Sequence, residues 1–184
     1  MGCPTPPRIP AGAVSTEEPA MTDDSTEPST EVTSGPLRVS VSRVIDADPQ
    51  PIFDVLADPS MHHVIDGSGS VRGTRSESRK LVLGERFTTS MRIGLPYLIS
   101  NKVVELDEPR RIAWSHVGGW RWRYELEPVD GGTRVTETFD GSTARTPLGR
   151  LYLERMRWPA RNRPNMEKTL ARLDALVTNK SQAV

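Results

Sequence analysis

Residues 110–140 read RRIAWSHV, GG, WRWRYELEPV, DGG and TRVTETFD, and large apolar residues recur there at every second position. A period of two belongs to a pleated strand, whose alternate side chains share a face. Three successive antiparallel strands follow. Asp130-Gly131 suits a two-residue type I′ turn, in which both central residues take positive φ. Pairing Val129 with Gly132 sets Leu126 opposite Val135, Tyr124 opposite Glu137 and Trp122 opposite Phe139 on one face, while Glu127 meets Arg134 and Arg121 meets Asp140 on the other. A two-residue Gly118-Gly119 loop would split the aromatics between faces. A three-residue loop, 117–119, sets Trp114 opposite Trp122 and Ile112 opposite Tyr124, and a one-residue slip would turn every side chain over. The inner face is then Ile112, Trp114, His116, Trp120, Trp122, Tyr124, Leu126, Val135, Glu137 and Phe139.

Something must cover that face. The chain has 184 residues, enough for one domain if most of them join a single core. Residues 1–36 do not look able to join: they are dense in Pro, Thr, Ser and Glu, contain no aromatic residue, and read as a disordered tail. They hold one Arg against six acidic residues, so a formal charge of zero divides into −5 there and +5 over residues 37–184. The folded part is mildly basic, which is not the balance of a strong nucleic-acid binder. Cys3 is the one cysteine and no intrachain disulfide can form. No apolar run reaches the roughly 20 residues of a membrane span, and no apolar signal-peptide region opens the chain. A cytoplasmic protein, monomer or homodimer, is expected.

The remainder supplies the cover. Residues 37–45 alternate as a first strand, with Leu37, Val39 and Val41 on one face. Asp48-Pro49 and Asp58-Pro59 each resemble an N-cap followed by a first-turn proline, so two short helices should follow, the second ended by Gly67 as a left-handed cap. Residues 70–74, 81–93 and 97–106 alternate again, with Phe87, Thr89, Met91 and Ile93 in phase, giving about seven antiparallel strands. After Phe139 the spacing becomes helical. Thr146-Pro147 starts a helix with Leu148, Leu151, Tyr152 and Met156; Pro159 should stop it and Pro164 begin another. In that last helix Met166, Leu170, Leu173 and Val177 form one buried stripe. One helix is too narrow to seal a seven-stranded curved sheet, which leaves room for a cavity.

The order of elements, together with Val44-Ile45-Asp46-Ala47, Asp58-Pro59-x-x-His62, Asp66-Gly67-Ser68-Gly69, Pro109 to Trp114 (PRRIAW) and Gly132 to Glu137 (GTRVTE), resembles the START-like (SRPBCC) superfamily, and within it the bacterial polyketide cyclase/dehydrase and lipid-transport branch. The resemblance spans about residues 37–178. It implies an α+β helix-grip fold, a curved antiparallel sheet wrapped on a C-terminal helix, with a domain over 37–180 and a short disordered end at 181–184. It also implies a hydrophobic or aromatic small molecule held between sheet and helix; with no HExxH motif and no Cys cluster in the sequence, neither a metal nor a cofactor is expected. Members include carriers, cyclases, receptors and chaperone activators, so the reaction is not implied by the fold.

Several residues carry the chemistry open to such a cavity. Glu137 places a carboxylate on the inner face, where burial raises its pKa, and Tyr124 opposite is its natural donor. The pair fits three roles: an acid/base couple for a cyclase or dehydratase, a hook for a ligand hydroxyl, or a structural pairing of buried polar groups. His116, near the hairpin tip, is the third candidate if the protein is an enzyme. Met91, Trp114, Trp120, Trp122 and Phe139 would line the ligand site with these three. His62 and Asp66, at i and i+4, would share one side of a short helix, and the resemblance implies that they stand at the cavity rim. His62, His63 and Asp66 lack the further ligand that a metal site needs. Arg145, Arg150, Arg155, Arg157, Arg161 and Arg163 face one acid, Glu154; without interleaved aromatics or a Gly-rich phosphate loop they read as a solvated helix face, and nucleic acid is an unlikely partner.

Overall fold

The folded unit begins earlier than the composition suggests. In the computed structural model, which describes residues 1–2, 31–75 and 79–181, β1 (Glu31–Ser34) pairs antiparallel with β2 (Arg38–Ile45), Val32 opposite Val41. A strand of four residues needs little apolar surface of its own when a neighbouring edge supplies its hydrogen bonds. The sheet therefore includes Glu31–Ser34, ahead of residue 37. The rest of the expected tail, residues 3–30, and residues 182–184 lie outside the described residues.

Next come α1 (Pro49–Ala57), a 3-10 turn (Pro59–Met61) and α2 (His62–Ile65). Proline opens α1 as expected, but Asp48 makes no side-chain cap bond. Asp58 does cap, accepting from the Ser60 N–H at 2.8 Å. Ile52, Phe53 and Leu56 of α1 are fully buried. Gly67 is not the left-handed cap expected of it. A Cβ there would lie 2.1 Å from the Asn165 carbonyl oxygen, so glycine is required by the approach of α4 (Trp158–Ser181). The Gly67 N–H donates to Thr169 Oγ1 at 3.0 Å and ties the two segments together.

From there the chain meanders through β3 (Val71–Thr74), β4 (Arg86–Ile93), β5 (Leu95–Asp107), β6 (Arg111–His116), β7 (Arg121–Val129) and β8 (Gly132–Asp140). The sheet runs β1-β2-β8-β7-β6-β5-β4-β3, antiparallel throughout: the seven strands expected from the alternation plus β1. Leu81, which the alternation put in a strand, precedes β4 but is buried. The central register is the one expected, with Trp114 opposite Trp122, Ile112 opposite Tyr124, Tyr124 opposite Glu137 and Trp122 opposite Phe139. The three-residue loop is present too, closed by the Gly119 N–H on the His116 carbonyl at 2.9 Å. Outward-facing Arg121 and Arg123 reach Glu105 at 3.3 and 2.7 Å. One turn differs: Asp130 keeps negative φ, and Gly131 and Gly132 take φ of 85° and 133°. Two glycines carry the reversal without a Cβ penalty, so the turn keeps the expected pairing without being type I′.

A short 3-10 turn (Gly141–Thr143) leads to α3 (Pro147–Arg155), capped by Thr146, whose Oγ1 accepts from the Gly149 N–H at 3.0 Å. Then α4 runs unbroken for 24 residues. Pro159 sits in its first turn, where a missing N–H is harmless, and Pro164 lies inside it. Pro159 thus opens a helix instead of stopping one, while Pro164 begins none and is tolerated inside α4, where packing of the stripe outweighs its lost hydrogen bond and steric cost. Met166, Leu170, Leu173 and Val177 are all buried against the sheet, chiefly over β2 and β8, and Arg43 Nε on β2 donates to Asp174 Oδ2 at 2.8 Å. The result is an open antiparallel sheet gripping a long C-terminal helix.

Candidate functional site

Between sheet and helix the apolar interior is interrupted by a line of polar groups. Tyr124 Oη donates to Glu137 Oε1 at 2.8 Å, and both residues are buried. Desolvation pushes the Glu137 carboxyl up to about 8, the Tyr124 hydrogen bond opposing and the Asp66 charge adding to the rise. Burial and the neighbouring Glu137 likewise raise the Tyr124 phenol well above its ordinary value. At neutral pH Glu137 is therefore mostly a carboxylic acid. Its Oε2 has no hydrogen-bond partner among the described residues.

Four further buried atoms share that condition: Asn101 Oδ1, Trp158 Nε1 and Asn162 Nδ2 on the inner side, and Arg123 Nε on the outer face of β7. The first three face the layer between sheet and helix. Asn101 lies two residues from buried Val103 and opposite buried Phe87, and its amide donates to Thr89 Oγ1 at 3.1 Å. Trp158 and Asn162 continue the Met166 stripe towards the start of α4 at spacings of four. None of these three was anticipated. Asn101 carries the same signal as Glu137, a polar residue in the inward phase of a strand. Trp158 and Asn162 were hidden by reading Pro164 as the first residue of the helix.

Around this line the aromatics form two groups. Trp114 lies 5.6 Å from Tyr124 and 5.9 Å from Phe87, ring centre to ring centre, and His62 stacks on it at 4.9 Å. Trp122 meets Phe139 edge-on at 5.1 Å. Met91 is half-buried on β4, in phase with Phe87 and Thr89. His116 and Trp120 are half-buried and 5.6 Å apart beside the hairpin loop. His116 lies four residue steps along β6 from Ile112, the partner of Tyr124, which is about 13 Å along a strand. His116 thus stands apart from the Tyr124–Glu137 pair. Desolvation draws its pKa down to about 4.

His62 is not at an open rim. It is buried, with Nε2 2.9 Å from the Leu56 carbonyl, and burial lowers its pKa. Asp66 spends its carboxylate on the loop into β3, accepting from the Ser68 N–H at 3.0 Å, Ser68 Oγ at 2.7 Å and the Val71 N–H at 2.9 Å. His63 is exposed, its Nδ1 2.7 Å from the Ser60 carbonyl oxygen, so the three residues do not converge. Among the described residues no group of His, Cys, Asp and Glu is arranged to hold a metal ion, and no helix is long and apolar enough to cross a membrane.

Comparison with known proteins agrees with this architecture. The protein shares 42% identity over 147 residues with the uncharacterized protein Rv0088 of Mycobacterium tuberculosis, covering 78% of this chain and 66% of that one. The chain thus spans just under two thirds of that relative. Among solved structures, protein Ms6760 of Mycobacterium smegmatis superposes with a TM-score of 0.61 at 21% identity, over 82% of this chain and 98% of that one. An AHSA1-like protein of Aeromonas hydrophila gives 0.56 at 20% identity, over 76% and 94%. These likenesses establish the fold. A model of polyketide cyclase / dehydrase and lipid transport proteins matches residues 36–178, and with strand order, terminal helix and sequence in agreement the chain belongs to that family.

Proposed function

We propose that the protein binds a hydrophobic small molecule bearing oxygen acceptors, held between the sheet and α4 with Glu137 and Tyr124 as its polar hook. The observation that carries this reading is the set of unpartnered buried atoms. Isolated buried polar groups are destabilising, and native interiors pair nearly all of them. On the inner side, protonated Glu137, Trp158 Nε1 and Asn162 Nδ2 are donors, and only Asn101 Oδ1 is an acceptor. A ligand with carbonyl or ether oxygens on an apolar frame would satisfy three of the four. Trp114, Trp122, Phe139 and Met91 offer it flat apolar contact, with His116 and Trp120 beside the loop.

An enzyme of the cyclase or dehydratase kind is the second reading, favoured by the pKa of Glu137. A carboxyl near 8 is poised to give and take a proton at neutral pH, as enolisation or dehydration requires. Native mass spectrometry of protein purified from its own host tests the first reading. A retained adduct of an oxygenated apolar compound is expected, and wholly adduct-free protein that also takes up no hydrophobic fluorescent probe would overturn it. Glu137→Gln then separates the two readings: a carrier keeps binding, whereas an enzyme keeps binding and loses turnover of the compound found.

A further inference from the structure

The helix α3 forms where its spacing predicts, yet its apolar stripe points away from the protein. Leu148, Leu151, Tyr152 and Met156 are all exposed, Leu148 by 75%, while Leu153 on the opposite side is the one buried residue of the helix. Leu153 is buried beside Gly141, where a Cβ would meet its side chain at 3.0 Å, and this packing turns α3 so that the other apolar residues face outward. Exposed apolar residues in a contiguous row are uncommon on a protein surface unless something covers them.

The surroundings of the row are cationic. Six arginines and one acid lie between residues 145 and 163. Arg145, Arg155, Arg157 and Arg161 make no ion pair among the described residues. Arg155, Arg157 and Arg161 line, with Met156 and Ala160, a cleft of about 460 Å³ at the corner between α3 and α4. The corner itself is turned by Arg157 at φ 53°, a left-handed conformation that glycine adopts more easily. An arginine is thus held at a strained position beside two others.

Further apolar residues lie at the same end of the sheet. Asn101 pairs with His116 at the end of β6, so the β4–β5 hairpin overhangs the 117–119 loop and carries exposed Ile93, Leu95 and Leu98 beyond it. That loop bears exposed Val117, and its Gly118 carbonyl accepts from the Arg145 N–H at 3.0 Å, two residues before α3.

We propose that α3 docks on an anionic phospholipid bilayer, its outward apolar stripe entering the acyl boundary while the Arg155, Arg157 and Arg161 cleft receives headgroup phosphates. An interfacial helix has this composition, apolar on one side and basic at its flanks, and needs no spanning length. Arginine suits phosphate because its planar fork donates two parallel hydrogen bonds, and the attraction of basic residues for anionic lipid adds to apolar insertion. An unpartnered cationic fringe around apolar residues matches a surface that is negative outside and apolar beneath. The docking is independent of what the interior of the protein binds.

Co-sedimentation of the full chain with vesicles tests it. Binding to phosphatidylcholine vesicles containing phosphatidylglycerol is expected to exceed binding to pure phosphatidylcholine by about tenfold or more, and to weaken with added salt. The double substitutions Leu148→Ser/Leu151→Ser and Arg155→Gln/Arg161→Gln should each reduce it about tenfold with the melting temperature unchanged, since all four side chains are exposed. Arg134→Gln, on the far face of the sheet, should leave it intact. Equal binding to both vesicle types would overturn the proposal, as would full retention of binding by the leucine variant. A dimer that the leucine variant dissociates, seen by sedimentation velocity, would assign the face to a second copy. Single-stranded RNA bound with loss only in the arginine variant would assign the fringe to nucleic acid.

Discussion

Tyr124 and Glu137 face each other directly across β7 and β8, joined by a 2.8 Å hydrogen bond from the phenol to the carboxyl, and both are buried. A carboxyl so placed resists ionisation, and the protein's stability must register that. Glu137 has a folded-state pKa raised from 4.5 to about 8. Below pH 4.5 both folded and unfolded forms hold the proton. Between 4.5 and 8 only the folded form holds it, so stability falls with rising pH by up to about 1.4 kcal/mol per unit. Thermal melts of wild type and Glu137→Gln between pH 6.5 and 8 should show a decline in the wild type that the variant lacks. Parallel curves would mean that Glu137 is ionised throughout.

His116 works in the opposite sense. Its pKa is lowered from 6.5 to about 4, so the unfolded chain takes up a proton first as the solution is acidified. The stabilisation is complete above 6.5 and is lost as pH falls through 4. Denaturant titrations at pH 7 and pH 4.5 should show a smaller acid loss in His116→Gln than in the wild type, with His62 supplying part of the loss that remains. An unchanged difference would show that the ring is solvated.

Ligand contact should follow the alternation of β7. Trp122 points inward against Phe139, whereas Arg121 points outward to Glu105. Trp122→Ala should weaken uptake of a hydrophobic fluorescent probe by about 1.5 to 3 kcal/mol, the value of one large apolar side chain. Arg121→Ala should change it little. Unfolding of each variant must be measured beside binding, because equal losses at both positions would point to stability alone.

The grip of α4 rests on two contacts of different kinds. Leu170→Ala or Leu173→Ala should reduce stability by about 2 to 5 kcal/mol through the cavity each leaves. Gly67→Ala should be at least as damaging, since its methyl would meet helix backbone at 2.1 Å rather than a side chain that can move aside. Urea unfolding checks both. A folded protein that tolerates Asp at 170 and 173 would show that the stripe is not buried.

Strand pairing was legible because it is local. Short turns between alternating segments admit one register that keeps Trp122, Tyr124 and Leu126 on a single face, and the same alternation places Glu137 opposite Tyr124. The amphipathic stripe from Met166 to Val177 was equally plain, because a period near four identifies a helix that buries one side. The tertiary structure decided what local spacing leaves open. Pro159 fits the first turn of α4 and packing against the sheet carries Pro164 inside it, and only that continuity brings Trp158 and Asn162 into the interior. Gly67 answers to the closeness of α4, and β1 exists through the free edge of β2. The spacing of Leu148, Leu151 and Tyr152 predicts a helix with an apolar face, and which way that face turns depends on Leu153 and its neighbours in space. Periodicity reports that side chains share a face, whereas the occupant of the space beyond it is set by parts of the chain far away in sequence.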